Sequence, residues 1–211
     1  MITPTSWTSK ARRATPQANE IDYGRSVRSF VYGLWAGVLD GFGFVDGMAA
    51  SIRRGFTQAW NDGARICGIS PSEMSEEEQD RLQREINQEI TYLSNFANDI
   101  IAASKASGGL LRVHTARIPM WVNSYARIRE LAKMLACKDR KAIWKVNPLK
   151  EHCTDCLHVD GRVYRMSIWR KYGWEPRSRN LECRGYKCGC TLEFTDLPAT
   201  PGRPPRLAGA I

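Results

Sequence analysis

Five of the chain's seven cysteines fall within the 38 residues from Cys153 to Cys190. They form two knuckles: Cys153-x2-Cys156 and, 27 residues later, Cys183-x4-Cys188-x-Cys190. A tetrahedral zinc site needs four donors at about 2.3 Å from the metal, and two tight turns supply two thiolates each with little loss of chain freedom. Gly185 and Gly189 suit the second turn, where backbone must fold back around an ion. The spacing points to structural zinc held by donors drawn from Cys153, Cys156, Cys183, Cys188 and Cys190, and leaves open which four bind. His152 and His158 flank the first knuckle and read as surface histidines outside the donor set. Two other chemistries compete: disulfides formed in oxidising surroundings, and a redox pair at Cys153 and Cys156. A thioredoxin-like pair wants its C-x-x-C at a helix N-terminus in a βαβ unit, whereas this one follows Asn147-Pro148 and precedes a glycine turn. Cys67 and Cys137 stand alone in helical segments and read as buried free thiols.

Upstream the pattern is helical. The stretch "MITPTSWTSKARRATPQANE" has no apolar run of signal-peptide type, so a reducing cytosol is the default expectation. Its prolines and hydroxyls read as a flexible arm over 1–20, with Arg12 and Arg13 loose. The apolar run from Phe30 to Ala50 has the length of a membrane span, but Asp40 and Asp46 lie inside it. Each would cost about 2.5–3.5 kcal/mol at a bilayer centre, so membrane insertion is not expected. Gly33, Gly37 and Gly41, four apart, read instead as a seam where helices approach closely. Phe56 and Trp60, at i and i+4, share a helix face.

One long helix is expected over 70–104. Ser70 with Glu73, and Ser75 with Glu78, are capping-box patterns, and Leu82, Ile86, Ile90, Leu93, Ala97, Ile100 and Ile101 form an apolar stripe. Another helix is expected over 115–137, with Pro119 in its first turn and Trp121, Val122, Tyr125, Ile128, Leu131 and Leu135 buried. After Asp139, "AIWKV", "GRVYRMSIW" and "CTLEFTD" read as short strands. The fold class is thus α+β. It comprises the arm 1–20, a helical body 21–137, a small β-rich, ribbon-like zinc-binding module 138–197 and a proline-rich extended tail 198–211. A module this small has too little core of its own, so the metal is expected to lock it.

Charge is unevenly placed. From Pro71 to Ile101 eight acidic residues stand against two basic ones, net −6; from Ala136 to Cys190 thirteen basic stand against six acidic, net +7. Such asymmetry favours oriented docking or contact with an anion. No Walker loop, H-E-x-x-H, G-x-S-x-G or G-x-G-x-x-G is present, and a site filled by cysteines is closed and structural, so no catalytic residue and no small-molecule substrate are expected.

The order of segments resembles a known family. An arginine-bearing helix, "ARIPMWVNSYARIRELA", is followed by the tryptophan strand "AIWKV", then "CTDCLHVDGRVY", then "CGCTLEF". This is similar to the phage Mu F-like minor head proteins, the phage head morphogenesis family, over about residues 110–196. Two positions depart from the family. Gly185 stands where relatives have a histidine, with Cys183 two residues earlier, and Arg117-Ile118-Pro119 replaces an Arg-Thr-Glu triplet. The resemblance implies a structural protein of a tailed-bacteriophage virion, inside the capsid near the portal vertex and in the host cytoplasm during assembly. The resemblance further implies a role in head morphogenesis, DNA packaging or ejection, with portal and major capsid proteins as expected partners and packaged DNA near the basic module. The alternative is a zinc-ribbon nucleic-acid binder, in which Trp169, Tyr172, Trp174 and Tyr186 stack on bases among lysines and arginines.

Overall fold

The computed structural model describes residues 15–149, 151–185 and 188–207. Arg12 and Arg13 lie outside the described residues, as does Tyr186. Helix α1 (Pro16–Trp35) begins where the Thr15 hydroxyl accepts the Ala18 amide at 3.2 Å, with Pro16 at the first helical position. The segment 16–20, expected to be part of the flexible arm, is therefore helical. A turn with Gly37 at φ 77° leads to α2 (Gly41–Ala64), whose N-cap Asp40 accepts the Gly43 amide at 2.7 Å. Asp40, one of the two residues that argued against a bilayer, is the cap that starts the second helix, beyond the end of the first at Trp35. Among the described residues no helix is long and apolar enough to cross a membrane.

The close-approach seam lies mostly at other glycines than expected. Gly33 is a tight position, where a Cβ would lie 2.9 Å from the Leu39 side chain, but Gly37 lies in the turn and Gly41 opens α2. Tighter contacts are at Gly47, Gly55 and Gly63, eight residues apart on α2. A Cβ there would lie 2.2 Å from the Phe30 ring, 2.5 Å from the Tyr23 ring and 2.2 Å from the Arg129 carbonyl oxygen, respectively. Phe44, Met48, Ile52, Phe56 and Trp60 of α2 are fully buried against α1 and α6. Asp62 is buried among them, accepting from Asn19 at 3.0 Å, Gln58 at 2.9 Å and the Tyr125 hydroxyl at 2.8 Å, which ties three helices together.

The expected helix over 70–104 is broken in two. Both capping boxes are formed, but the first opens only a single 3-10 turn, Pro71–Glu73. The second opens α3 (Glu76–Ile90), and α4 (Leu93–Ala102) resumes after Thr91 and Tyr92. The break lets the stripe turn, so Leu93, Phe96 and Ile100 are buried while Ile101 is about half exposed. Helices α5 (Leu111–Thr115) and α6 (Ile118–Ala136) complete the trunk, with Trp121, Tyr125, Ile128 and Leu131 inward as expected.

The module contains β1 (Lys141–Lys145), α7 (Thr154–Val159), β2 (Val163–Arg165), α8 (Met166–Lys171) and β3 (Thr191–Phe194). Its sheet is antiparallel in the order β2-β1-β3, with Ala142 opposite Tyr164 and Trp144 opposite Leu192. "GRVYRMSIW" splits into a strand and a helix, because Met166 and Trp169 must both reach the core beneath the sheet. With helices of six and six residues against strands of five, three and four, the module is not β-rich. Nor does it lack a core: Trp144, Trp169 and Trp174 are fully buried, with ring centroids 5.5 and 5.8 Å from Trp144. The tail is extended yet packed through residue 207. Val163 N–H donates to the Thr200 hydroxyl at 2.8 Å, Trp174 Nε1–H donates to the Pro205 carbonyl at 2.8 Å, and Leu207 is buried.

Trunk and module dock through α6. Buried Glu130 and Lys133 pair at 2.6 Å. Lys133 donates to the Leu192 carbonyl at 2.7 Å, and the Leu192 amide donates to Glu130 at 3.4 Å. Two side chains thus satisfy backbone groups of β3, an edge strand that would otherwise be open. Cys67 and Cys137, expected as free thiols, are joined by a disulfide. Helices α2 and α6 pack with their C-terminal ends together, Gly63 against Arg129, and Cys67 and Cys137 follow those ends directly. The opposed charges also meet within the chain: Glu77 pairs with Arg170, Glu89 with Arg179, and Arg81 with Glu175 at 3.1 Å.

Candidate metal centre

The first knuckle is carried by a helix rather than a bare turn. Cys153 is the N-cap of α7 and Cys156 lies one turn on, fully buried. The second knuckle begins in a tight turn in which Arg184 has φ 49° and Gly185 φ 75°. A side chain at 185 would press its Cβ to 2.3 Å from the Arg177 carbonyl oxygen, so the backbone explains glycine where relatives of the resembled family carry histidine.

A reciprocal strap holds the knuckles together. The Thr154 amide, an orphan donor at the start of α7, donates to the Glu182 carboxylate at 2.9 Å. In return the Glu182 amide donates to buried Asp155 at 2.8 Å. Sequence reasoning missed both carboxylates. The available signal was their position, Asp155 inside the first knuckle and Glu182 directly before Cys183.

All five predicted cysteines are brought together, but as two overlapping triads. Cys153, Cys156 and Cys183 form one and Cys156, Cys188 and Cys190 the other; within each, the sulfurs lie within 4.8 Å of one another. Cys156 and Cys188 are 4.0 Å apart at Sγ, close to the ~3.8 Å edge of a tetrahedron with 2.3 Å metal–sulfur bonds. The second triad is entirely buried, whereas Cys153 and Cys183 are half-buried. His158 is exposed and His152 joins neither triad, although its Nδ1 is sealed from solvent without a partner among the described residues. His114 is a trunk residue, buried and 3.1 Å from the Ala103 carbonyl through Nε2.

Electrostatics concentrates negative charge on one sulfur. Hydrogen bonds from Cys156 first, then from Cys183 and Cys190, hold the Cys188 thiol far below its ordinary range. Cys156 is pushed far up by contacts with Cys183, Cys188 and Cys190 and by burial. For both Cys183 and Cys190 the Cys156 contact lowers the value, but the Cys188 contact and burial outweigh it and push each up to about 12. Without a bound cation Cys156, Cys183 and Cys190 therefore favour their protonated forms. A cation that bound here would displace the remaining protons, so its binding would release protons and weaken at low pH. These cysteine groups can hold a metal ion.

Other predicted contacts change with burial. Trp169 and Trp174 are sealed in the module core and cannot stack on bases, and Tyr172 is half-buried. No family model, curated protein or solved structure matches the chain.

Proposed function

We propose that the chain is a non-catalytic assembly protein in which zinc clips the cysteine-rich module, and that it serves as a minor head protein of a tailed bacteriophage. The observation that carries the zinc clip is the convergence of two cross-strapped knuckles on the shared, buried Cys156. Soft thiolates in a closed set suit zinc in a structural site. A thioredoxin-type redox pair is the weaker reading: Cys153 does cap a helix, but that helix has six residues and the sheet beside it is antiparallel, with no βαβ unit.

The head-protein reading rests on the resembling order of arginine helix, tryptophan strand and paired cysteine knuckles. Its partners are the portal and major capsid proteins, with packaged DNA beside the basic module. The zinc-ribbon nucleic-acid binder loses two of its four stacking side chains, Trp169 and Trp174, to the core, which weakens that reading. Fractionating purified particles tests the assignment. The chain is expected inside intact virions at a few copies, co-purifying with the portal. Recovery only as free protein in the host cytosol would refute it.

A further inference from the structure

A cleft of about 360 Å³ lies where α6 faces the 177–185 loop of the module, and five arginines line it: Arg117, Arg127, Arg177, Arg179 and Arg184. Three carboxylates answer them. Arg117 pairs with Asp99 at 2.5 Å, Arg127 with Glu85 at 2.5 Å and with Glu89 at 3.4 Å, and Arg179 with Glu89. Arg81 also reaches Glu85, but it brings Glu175 with it, so the balance is unchanged. Two positive charges remain in excess. Arg177 and Arg184 make no ion pair among the described residues, so they are not needed to join module to trunk. Two guanidinium nitrogens, Arg177 Nε and Arg179 Nη1, are sealed from solvent and have no acceptor among the described residues. A buried donor on a charged group without an acceptor is costly and calls for an explanation.

The backbone gives a second, independent sign. Among the described residues, Arg177 and Arg184 are the two non-glycine residues with positive φ, at 61° and 49°. Each such conformation costs about 1–3 kcal/mol and persists only where the surroundings impose it, most often at ligand sites. Here the two are neighbours in space, because Gly185, next to Arg184, packs against the Arg177 carbonyl. Arg184 also directly follows Cys183, so the metal clip fixes the loop that presents it.

We infer that this cleft binds a phosphate group, held in the planar forks of Arg177, Arg179 and Arg184. A guanidinium fork matches phosphate oxygens bidentately, and the surplus charge on the arginines lining the cleft is what such an anion would satisfy. The inference stands whether or not the chain is a head protein. The phosphate comes either from a free phosphorylated small molecule or from a single nucleic-acid strand, since the cleft is too small for a duplex.

Titration calorimetry on the full chain tests it, with pyrophosphate and a short oligothymidylate as probes. Saturable pyrophosphate binding is expected, weakened at least about tenfold in Arg177→Gln/Arg184→Gln while Arg25→Gln, an exposed α1 residue outside the cleft lining, leaves it unchanged. Competition between the two probes assigns the site to nucleic acid; pyrophosphate binding without oligonucleotide binding assigns it to a free phosphate. Circular dichroism of the double variant must match the parent. Absence of pyrophosphate binding at millimolar concentration, or affinity unchanged in the folded double variant, would overturn the inference.

Discussion

The trunk and the module bury comparable kinds of apolar surface by different means. The trunk core is continuous along long helices, from Phe44 to Trp60 on α2 alone, and each residue there is held by backbone periodicity. The module core mixes three tryptophans with Cys156, Cys188 and Cys190, contributed by elements of three to six residues and by loops. Regular backbone positions the trunk, whereas side chains, a strap of carboxylates and shared sulfurs position the module. The trunk is therefore expected to survive insults that dismantle the module.

The largest effect that would sharpen this contrast is on the metal. Structural zinc sites contribute about 10–16 kcal/mol of apparent binding free energy in small peptides. Cys156→Ser removes the sulfur common to both triads and is expected to abolish bound zinc, whereas Cys153→Ser and Cys190→Ser each leave one triad and lose less. Metal content of the three variants reads this directly. Equal loss in all three would show that the triads act as one indivisible site. Helical ellipticity is expected to persist in Cys156→Ser, because the trunk supplies most of it.

Glu130→Ala comes next. It strands the Lys133 ammonium in a buried site and frees the Leu192 amide, and breaking a buried pair of this kind costs about 3–5 kcal/mol. Protection of β3 amides in hydrogen exchange is expected to fall before that of α2. Trp144→Ala, at the centre of the aromatic cluster, is expected to cost a similar ~3–5 kcal/mol in urea unfolding. Uniform loss of protection in trunk and module after either change would break the distinction between the two cores.

Acid acts on the ion pairs between α3 and α6. Burial would raise the Glu85 carboxyl, but Arg127 and then Arg81 outweigh it and hold it below the ordinary carboxylate range. A depressed folded value means that this stability is fully present above the unfolded carboxylate pKa and is lost as pH falls through the lower folded one. Burial, in contrast, raises Glu175 despite Arg81, so its charged form opposes folding above the ordinary value and protonation relieves that penalty. Unfolding midpoints measured down from neutral pH should therefore show a smaller acid loss in Glu85→Gln than in the parent. The smallest expected effect is Ser75→Ala, which removes the α3 cap for about 1 kcal/mol.

What was legible in the sequence follows the same division. Apolar stripes, caps and the faces of α2, α3 and α6 could be read because helix period links residues three and four apart. The gathering of the five clustered cysteines could be read because their spacing puts two pairs on two short knuckles. The pairing of Cys67 with Cys137 could not, because only the packing of α2 on α6 brings positions 70 residues apart together. The break at Thr91 escaped notice because no glycine or proline marks it. The tryptophans of the module looked like a binding surface, since composition does not distinguish an aromatic core from an aromatic face. The arginine cleft was hidden for a related reason: it joins α6 to a loop some 50–60 residues further along the chain.

The account depends most on metal held by the clustered sulfurs. Elemental analysis of the purified chain, paired with the visible spectrum after cobalt replacement, tests that most directly. The account predicts one zinc per chain and a cobalt spectrum of tetrahedral thiolate coordination. A metal-free protein whose five cysteines all react as free thiols, or are oxidised to disulfides, would contradict it.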